Sequence, residues 1–267
     1  MKKVNILIMM AAVAGCVVTG CSKKTYYQVY QTQPVNSEAV QPKDGNMVHD
    51  GSDCTVSYNF FAEEGNAGYW FTNNTDSVIF ISLSESFFIL NGTAYDHFQA
   101  RRWTTTSSQT QQSSTQSGKS KKRNKRSTVA TQGTSQTSTQ ATAIEERGMV
   151  IVPPHASKYV VCEYRINTAK LELCGVKDTP GRNKPAGTTY TNENSPILFA
   201  NYITYTVGNG NKKHVDDRFF VQEIINVNRR AMTENVRVKD ACGKNTGEKM
   251  EQMRYATPDR FYVKYKK

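Results

Sequence analysis

The sequence predicts an all-β protein: an immunoglobulin-like or related antiparallel β-sandwich carrying one long disordered loop insertion. Three observations predict it. Aromatic and β-branched residues gather in short runs of roughly four to eight residues. Turn chemistry such as NTDS, NGT and GNGNKKH separates those runs. Helical periodicity is not sustained anywhere in the apolar segments.

The chain begins MKKVNILIMMAAVAGCVVTGCSKK. Lys2 and Lys3 form a positive start, and Val4 to Val18 is apolar apart from Asn5 and a few small residues. That stretch falls short of the about 20 residues a helical membrane span needs, and it has the build of a secretory signal peptide. Val18-Thr19-Gly20-Cys21 resembles the lipobox of bacterial lipoproteins: an aliphatic residue, two small ones, then Cys. The resemblance implies that residues 1–20 are removed and that the Cys21 thiol takes a diacylglyceryl group before the new amino terminus is acylated. The small residues fit the peptidase beside the scissile bond. Val13-Ala14-Gly15-Cys16 is a weaker match, because cleavage there would leave the apolar VVTGC exposed.

Residues 21–50 read as a lipidated tether. They are polar and scattered with Gln, Pro and Asn, with TYYQVY as a short edge strand at most. Residues 51–267 read as a single domain. CTVSYNFF, AGYWFTN, VIFISL and SFFIL are its first strands. Segment 104–143 then changes character: it is built largely from Ser, Thr and Gln, and Val129 is its one large aliphatic residue. Such a segment buries too little apolar area to offset its conformational entropy, so it is expected to be disordered. Strand-like sequence flanks it on both sides, which makes it a loop within a domain, and long loops cost little in closure entropy. GMVIVPP and SKYVVCEYRI resume the strands around a proline break. Residues 168–195 look irregular. PILFANYITYTV and DRFFVQEIINV are the longest apolar strands, joined by a hairpin turn. MTENVRVK reads as a further strand and CGKNTGEKMEQM as a short helix. In the final DRFYVKYKK, Phe261, Val263 and Tyr265 share one face and Tyr262, Lys264 and Lys266 the other.

The formal charge of +11 is concentrated. Two of the cations leave with the signal. Six more, Lys119, Lys121, Lys122, Arg123, Lys125 and Arg126, stand in the insert without an acid. In the cytoplasm such a run would suggest a nuclear or nucleic-acid patch. An exported lipoprotein makes that reading improbable, and no aromatic residue interleaves the cations to stack bases. The insert is therefore a candidate anion-binding loop for anionic lipid or lipopolysaccharide, set against a purely solubilising role. The chain has six cysteines. Beyond Cys16 and Cys21, the thiols of Cys54, Cys162, Cys174 and Cys242 are candidate disulfides in an oxidising envelope, with three pairings open. No CxxC or nearby His points to a metal.

FTNNTDSVIFISLSESFFILNG, MVIVPPHASKYVV, TYYQVY and the closing FYVKY together resemble small periplasmic β-sandwich lipoproteins of gut-dwelling Gram-negative anaerobes. The likeness covers about half of the mature chain. It implies a sandwich fold and an outer-membrane, periplasm-facing location, with no activity attached. The long insert departs from that compact pattern.

No catalytic residue stands out. His49, His97, His155 and His214 lack metal-ligand spacing, and no GxSxG or HExxH is present. Asp216, Asp217, Asp240 and Glu223 lack a calcium-loop pattern. Ser77, within Asp76-Ser77-Val78, is a candidate O-glycosylation acceptor. Tyr69, Trp70, Phe71 and Trp103 are a candidate carbohydrate platform, more often core than surface. The expected function is a non-catalytic binding or assembly module, anchored to the membrane by its lipid and partnered by anionic lipid, lipopolysaccharide or another envelope protein. No cofactor is expected. Two alternatives stay open. An envelope glycan-active enzyme would need paired carboxylates, for which Glu63, Glu64, Asp96, Glu145 and Glu146 are the loosely grouped acids. A DNA-transfer or phage-derived component would use the basic loop on nucleic acid.

Overall fold

The computed structural model describes residues 24–36, 39–43, 45–100, 102–111, 136–145, 147–182 and 184–267. In chain order the strands are β1 (Thr25–Pro34), β2 (Val40–Lys43), β3 (Asn46–Asp50), β4 (Cys54–Tyr58), β5 (Tyr69–Asn73), β6 (Ile79–Leu90), β7 (Thr93–Asp96), β8 (Arg102–Gln111), β9 (Gln136–Glu145), β10 (Met149–Val152), β11 (Ser157–Val160), β12 (Ala186–Thr189), β13 (Leu198–Val207), β14 (Lys212–Asn228), β15 (Thr233–Lys239), β16 (Asn245–Met253) and β17 (Arg260–Lys266). One helical turn, α1 (Arg229–Met232), links β14 to β15.

Two antiparallel sheets pack as a sandwich, as the sequence predicts. The larger has eight strands along the path β10-β6-β13-β14-β1-β17, with β7 beside β6 and β12 beside β14. The smaller has five, in the order β11-β5-β4-β3-β2. Their facing residues form one core, with Val56, Tyr58, Tyr69 and Phe71 from the small sheet against Ile81, Phe88, Phe199, Phe219 and Phe261 from the large one. Phe60, Phe199 and Phe219 meet edge-on or stacked at centroid distances of 4.9–5.2 Å, the geometry that ring quadrupoles favour.

β10 belongs to the large sheet and β11 to the small one, so Pro153-Pro154 marks the crossing between layers. Pro supplies no backbone N–H, which suits a segment that leaves one ladder before joining the next. Buried Asn73 holds the crossing: its Nδ2 donates to the Val152 and Pro153 carbonyls, each at 3.1 Å. VIFISL and SFFIL, read as separate strands, are one strand, β6. The polar step between them is a bulge against β13, where Ser86 Oγ accepts the Thr204 N–H at 3.0 Å.

Two readings of the sequence are corrected. The tether expected over residues 21–50 is instead, from Thr25 onward, part of the fold. β1 pairs β14 on one side and β17 on the other, and β2 and β3 complete the small sheet. One of the polar residues that suggested a tether is satisfied inside. Gln28 is fully buried; its Nε2 donates to Leu171 O and Asn226 Oδ1, and its Oε1 accepts the Leu171 N–H at 2.7 Å. The helix expected over CGKNTGEKMEQM is the strand β16, paired with β15. Asp240 decides this: its Oδ1 accepts the N–H groups of Cys242 and Lys244, both at 2.9 Å, and Gly243 takes a left-handed φ of +80°. That side-chain cap builds a tight hairpin and outcompetes a helix start.

The insertion sits apart from both sheets. β8 and β9 pair only with each other, from Arg102↔Glu145 to Gln111↔Gln136. Residues 112–135, with all six insert cations, lie outside the described residues. The irregular stretch expected over 168–195 instead runs from 161 to 185, ahead of β12, and bonds to the large sheet through Gln28–Leu171 and Asn226 Nδ2–Lys177 O. On the opposite face of β1, Tyr27 and Val29 pack with Val227 and Met232 in a second, smaller cluster that seats the β15–β16 hairpin.

Candidate functional site

The strongest concentration of unsatisfied charge lies where the described chain begins. Lys24 precedes β1, and its N–H and C=O bond to Lys267 at 3.0 and 3.1 Å. Beside it, α1 contributes Arg229 and Arg230, the 161–185 segment contributes Arg182, and the end of β16 leads into Arg254. These four arginines line an open cleft of about 640 Å³ together with Thr233, Glu234, Asn235 and Glu251. Lys24, Thr25, Tyr26, Arg182, Arg229 and Arg230 line a second hollow of about 580 Å³ that adjoins it.

The corner is rigidly built. Asn228 caps α1, its Oδ1 accepting the Ala231 N–H at 2.9 Å, while its Nδ2 reaches Pro180 O. Tyr265 donates from its hydroxyl to Asp178 O at 2.5 Å and stacks on Tyr26. Asp178 bridges Lys170 at 2.7 Å and Lys267 at 2.8 Å, and the two ammonium groups, Lys170 first, hold its carboxyl below the usual range. Two of the arginines have carboxylate partners. Arg229 meets Glu251 at 3.3 Å and Arg254 meets Glu234 at 3.5 Å, both long and solvent-exposed. Arg182 and Arg230 have no acidic partner among the described residues. Guanidinium groups in this number recognise phosphate or carboxylate by paired N–H donors.

A second cluster joins the two sheets. Asp217 on β14 is 1% exposed. It receives the Tyr58 hydroxyl at 2.5 Å and pairs with His49 Nδ1 at 2.7 Å. The Asp217 hydrogen bond raises the His49 pKa. Burial pushes the nearby Cys54 thiol up to about 12, so it is not a thiolate near neutral pH. The pair acts as a clamp between layers. A third cluster is polar and buried: Tyr69 Oη, both His97 ring nitrogens and Asn201 Oδ1 have no hydrogen-bond partner among the described residues. Asn201 lies beside the His97 ring and favours its charged form without completing a bond, but burial dominates and lowers the His97 pKa to about 4.

The remaining sequence candidates are dispersed. Among the described residues no disulfide joins Cys54, Cys162, Cys174 or Cys242. Cys54 and Cys162 are buried apolar-face residues, whereas Cys174 and Cys242 are exposed on separate loops. Ser77 is exposed in the β5–β6 turn, beside an Asp76 that pairs with His155 Nε2 at 2.8 Å. Tyr69 and Phe71 are fully buried, Trp70 is tilted by 54° against Tyr159 and so forms no flat surface with it, and the Trp103 side chain lies outside what is described. Asp216 clamps Arg218, Asp217 faces inward and Asp240 caps its hairpin, so these acids do not converge. Among the described residues no three metal-ligating side chains come together. Glu63 and Glu64 lie against β17, and Asp96 ends β7. Cys21 and the insert cations lie outside the described residues. An apolar groove of about 320 Å³ beside Val35 and Leu198 offers a single cation, Arg218, already held by Asp216.

Sequence reasoning missed the arginine cleft because its members are scattered from 182 to 254 and assembled only by the fold. The Arg229-Arg230 doublet was the one local signal. No protein-family model, curated protein or solved structure matches the chain.

Proposed function

We propose that the protein is a lipoprotein of the bacterial envelope, anchored through Cys21, that works as a non-catalytic binding or assembly module close to the membrane. The observation that carries this reading is the position of β1. Among the described residues the first strand begins at Thr25, four residues after Cys21. At roughly 3.5 Å per residue, so short a link holds the sandwich within about 15 Å of its acyl chains. The domain is then seated at the bilayer surface with its N-terminal corner facing the lipid. Among the described residues no helix is long and apolar enough to cross a membrane.

The experiment is mass spectrometry of the N-terminal peptide from cells, with membrane fractionation of the unaltered protein and of Cys21→Ala. The expected result is a triacylated Cys21 peptide, and a Cys21→Ala protein that is no longer processed at residue 21. An intact N-terminus with unmodified Cys21 would overturn the reading.

A further inference from the structure

We propose that the cleft lined by Arg182, Arg229, Arg230 and Arg254 is a binding site for the phosphate groups of anionic membrane lipids. The proposal rests on the lipoprotein reading for its geometry. The lining of the two adjoining hollows holds five cations, these arginines and Lys24, against two carboxylates, Glu234 and Glu251. Both carboxylates are already engaged, by Arg254 and Arg229. Arg182 and Arg230 are exposed and carry their charge without an acidic partner among the described residues.

The location selects the ligand. Lys24 stands three residues from Cys21, a distance of at most about 11 Å along the chain. Whatever lies at the base of the acyl chains is therefore within reach of the cleft. The chemistry at that depth is a lipid headgroup phosphate. Guanidinium suits it better than ammonium, because its planar fork donates two parallel N–H bonds and is less strongly hydrated. The rigid frame adds to this. Asn228 fixes α1 to Pro180 and caps its turn, so Arg182 and Arg229-Arg230 are held across the same opening. Two contacts would result, covalent lipid and headgroup clamp, and together they fix which face of the sandwich points away from the membrane. A single flexible anchor fixes no orientation.

The test uses the full mature chain carrying Cys21→Ser, so that no acyl chain masks weaker contacts. Binding is measured by flotation with phosphatidylcholine vesicles, with and without phosphatidylglycerol, and separately by titration with inorganic phosphate. Arg182→Gln/Arg230→Gln is compared with Lys244→Gln/Lys249→Gln, which removes equal charge from the exposed hairpin. Each cation at an anionic surface strengthens binding about 5-fold, so the arginine pair should lower vesicle binding about 30-fold and the hairpin pair far less. Equal loss in both variants, or no loss in the arginine variant, overturns the site. Binding of inorganic phosphate with no preference for anionic vesicles overturns the lipid as the source of the phosphate. The acylation experiment is independent. Unmodified Cys21 with arginine-dependent vesicle binding would refute the lipoprotein reading and leave the site, whereas acylated Cys21 without that dependence would refute the site alone.

Discussion

Replacing His97 by Phe should make the protein more stable in acid. His97 is 5% exposed, edge-on to the Tyr69 ring at 5.9 Å, and neither ring nitrogen has a hydrogen-bond partner among the described residues. Burial lowers its pKa from 6.5 to about 4. A depressed histidine pKa means that the unfolded chain takes up a proton before the folded one does. Its contribution is therefore intact above about pH 6.5 and is lost progressively as pH falls toward 4. At pH 5 the interval below the unfolded pKa is about 1.5 units, which corresponds to about 2 kcal/mol. Urea unfolding of the unaltered protein and of His97→Phe, at pH 7.5 and pH 5, isolates the effect. His49 titrates in the opposite sense, and because both proteins contain it, it cancels in the comparison. The substitution itself changes packing, and that cost is the same at both pH values. The stability difference between the two proteins should shift by about 2 kcal/mol in favour of the variant on going to pH 5. A difference independent of pH would show that His97 is solvated or hydrogen-bonded, and the reasoning would fail.

Gly65→Ala should cost about 2 kcal/mol in the same assay, since Gly65 has a φ of +81° and an added Cβ would lie 2.8 Å from Ile166 Cβ. Asp217→Asn should cost about 2 kcal/mol by weakening the charge-assisted bonds to His49 and Tyr58. It should also abolish a pH dependence: the raised His49 pKa stabilises the fold fully below about pH 6.5, and that stability is lost as pH rises through the raised value. The stability difference between the unaltered protein and Asp217→Asn should be larger at pH 6 than at pH 9; His97, whose loss in acid begins near pH 6.5, is common to both and cancels. Trypsin added to intact cells should leave the insert at Lys119–Arg126 uncut and cleave it once the outer membrane is opened; cutting in intact cells would place the domain on the outer surface.

What the sequence showed follows from how each element is stabilised. Strands held by apolar alternation were legible. β5, β13, β14 and β17 lie where their Phe, Ile, Val and Tyr runs put them, and Phe261 and Val263 face the core as the alternation of FYVKY requires. β1 was hidden because its core face includes Gln28, and a glutamine reads as surface until its partners are known. Those partners, Leu171 and Asn226, stand 143 and 198 residues away. The same holds for Asp217, whose acid looks like loop charge beside Asp216 and becomes an interlayer clamp only when β3 delivers His49 from 168 residues away. Local pattern carries hydrophobic burial, which depends on one residue at a time. It does not carry a buried hydrogen bond, which depends on two.

The arginine cleft follows the same rule at the surface, with a functional consequence. In the sequence the basic insert dominates, yet β8 and β9 pair only with each other, so the insert belongs to neither sheet. The insert cations lie outside the described residues, and a run of like charge attracts an anionic surface at long range whatever its arrangement. Arg182, Arg229, Arg230 and Arg254 are less conspicuous in sequence but are held by an N-cap, by the Asn228 bond to Pro180 and by the hairpin seated on Met232. Fixed donors lose less freedom on binding than mobile ones, so each contact made there is retained more fully. On the proposed reading the two basic regions have separable roles: the insert would raise the local attraction to an anionic surface, and the cleft would set the face that meets it. Deleting 117–128 should therefore weaken vesicle binding and steepen neither the lipid preference nor the orientation, whereas Arg182→Gln/Arg230→Gln should randomise the orientation. Site-specific fluorescent labelling at exposed Cys174 and Cys242, with quenching by headgroup-labelled vesicles, reads that difference directly. If the deletion randomises the quenching pattern and the arginine variant does not, the orienting contact lies in the insert.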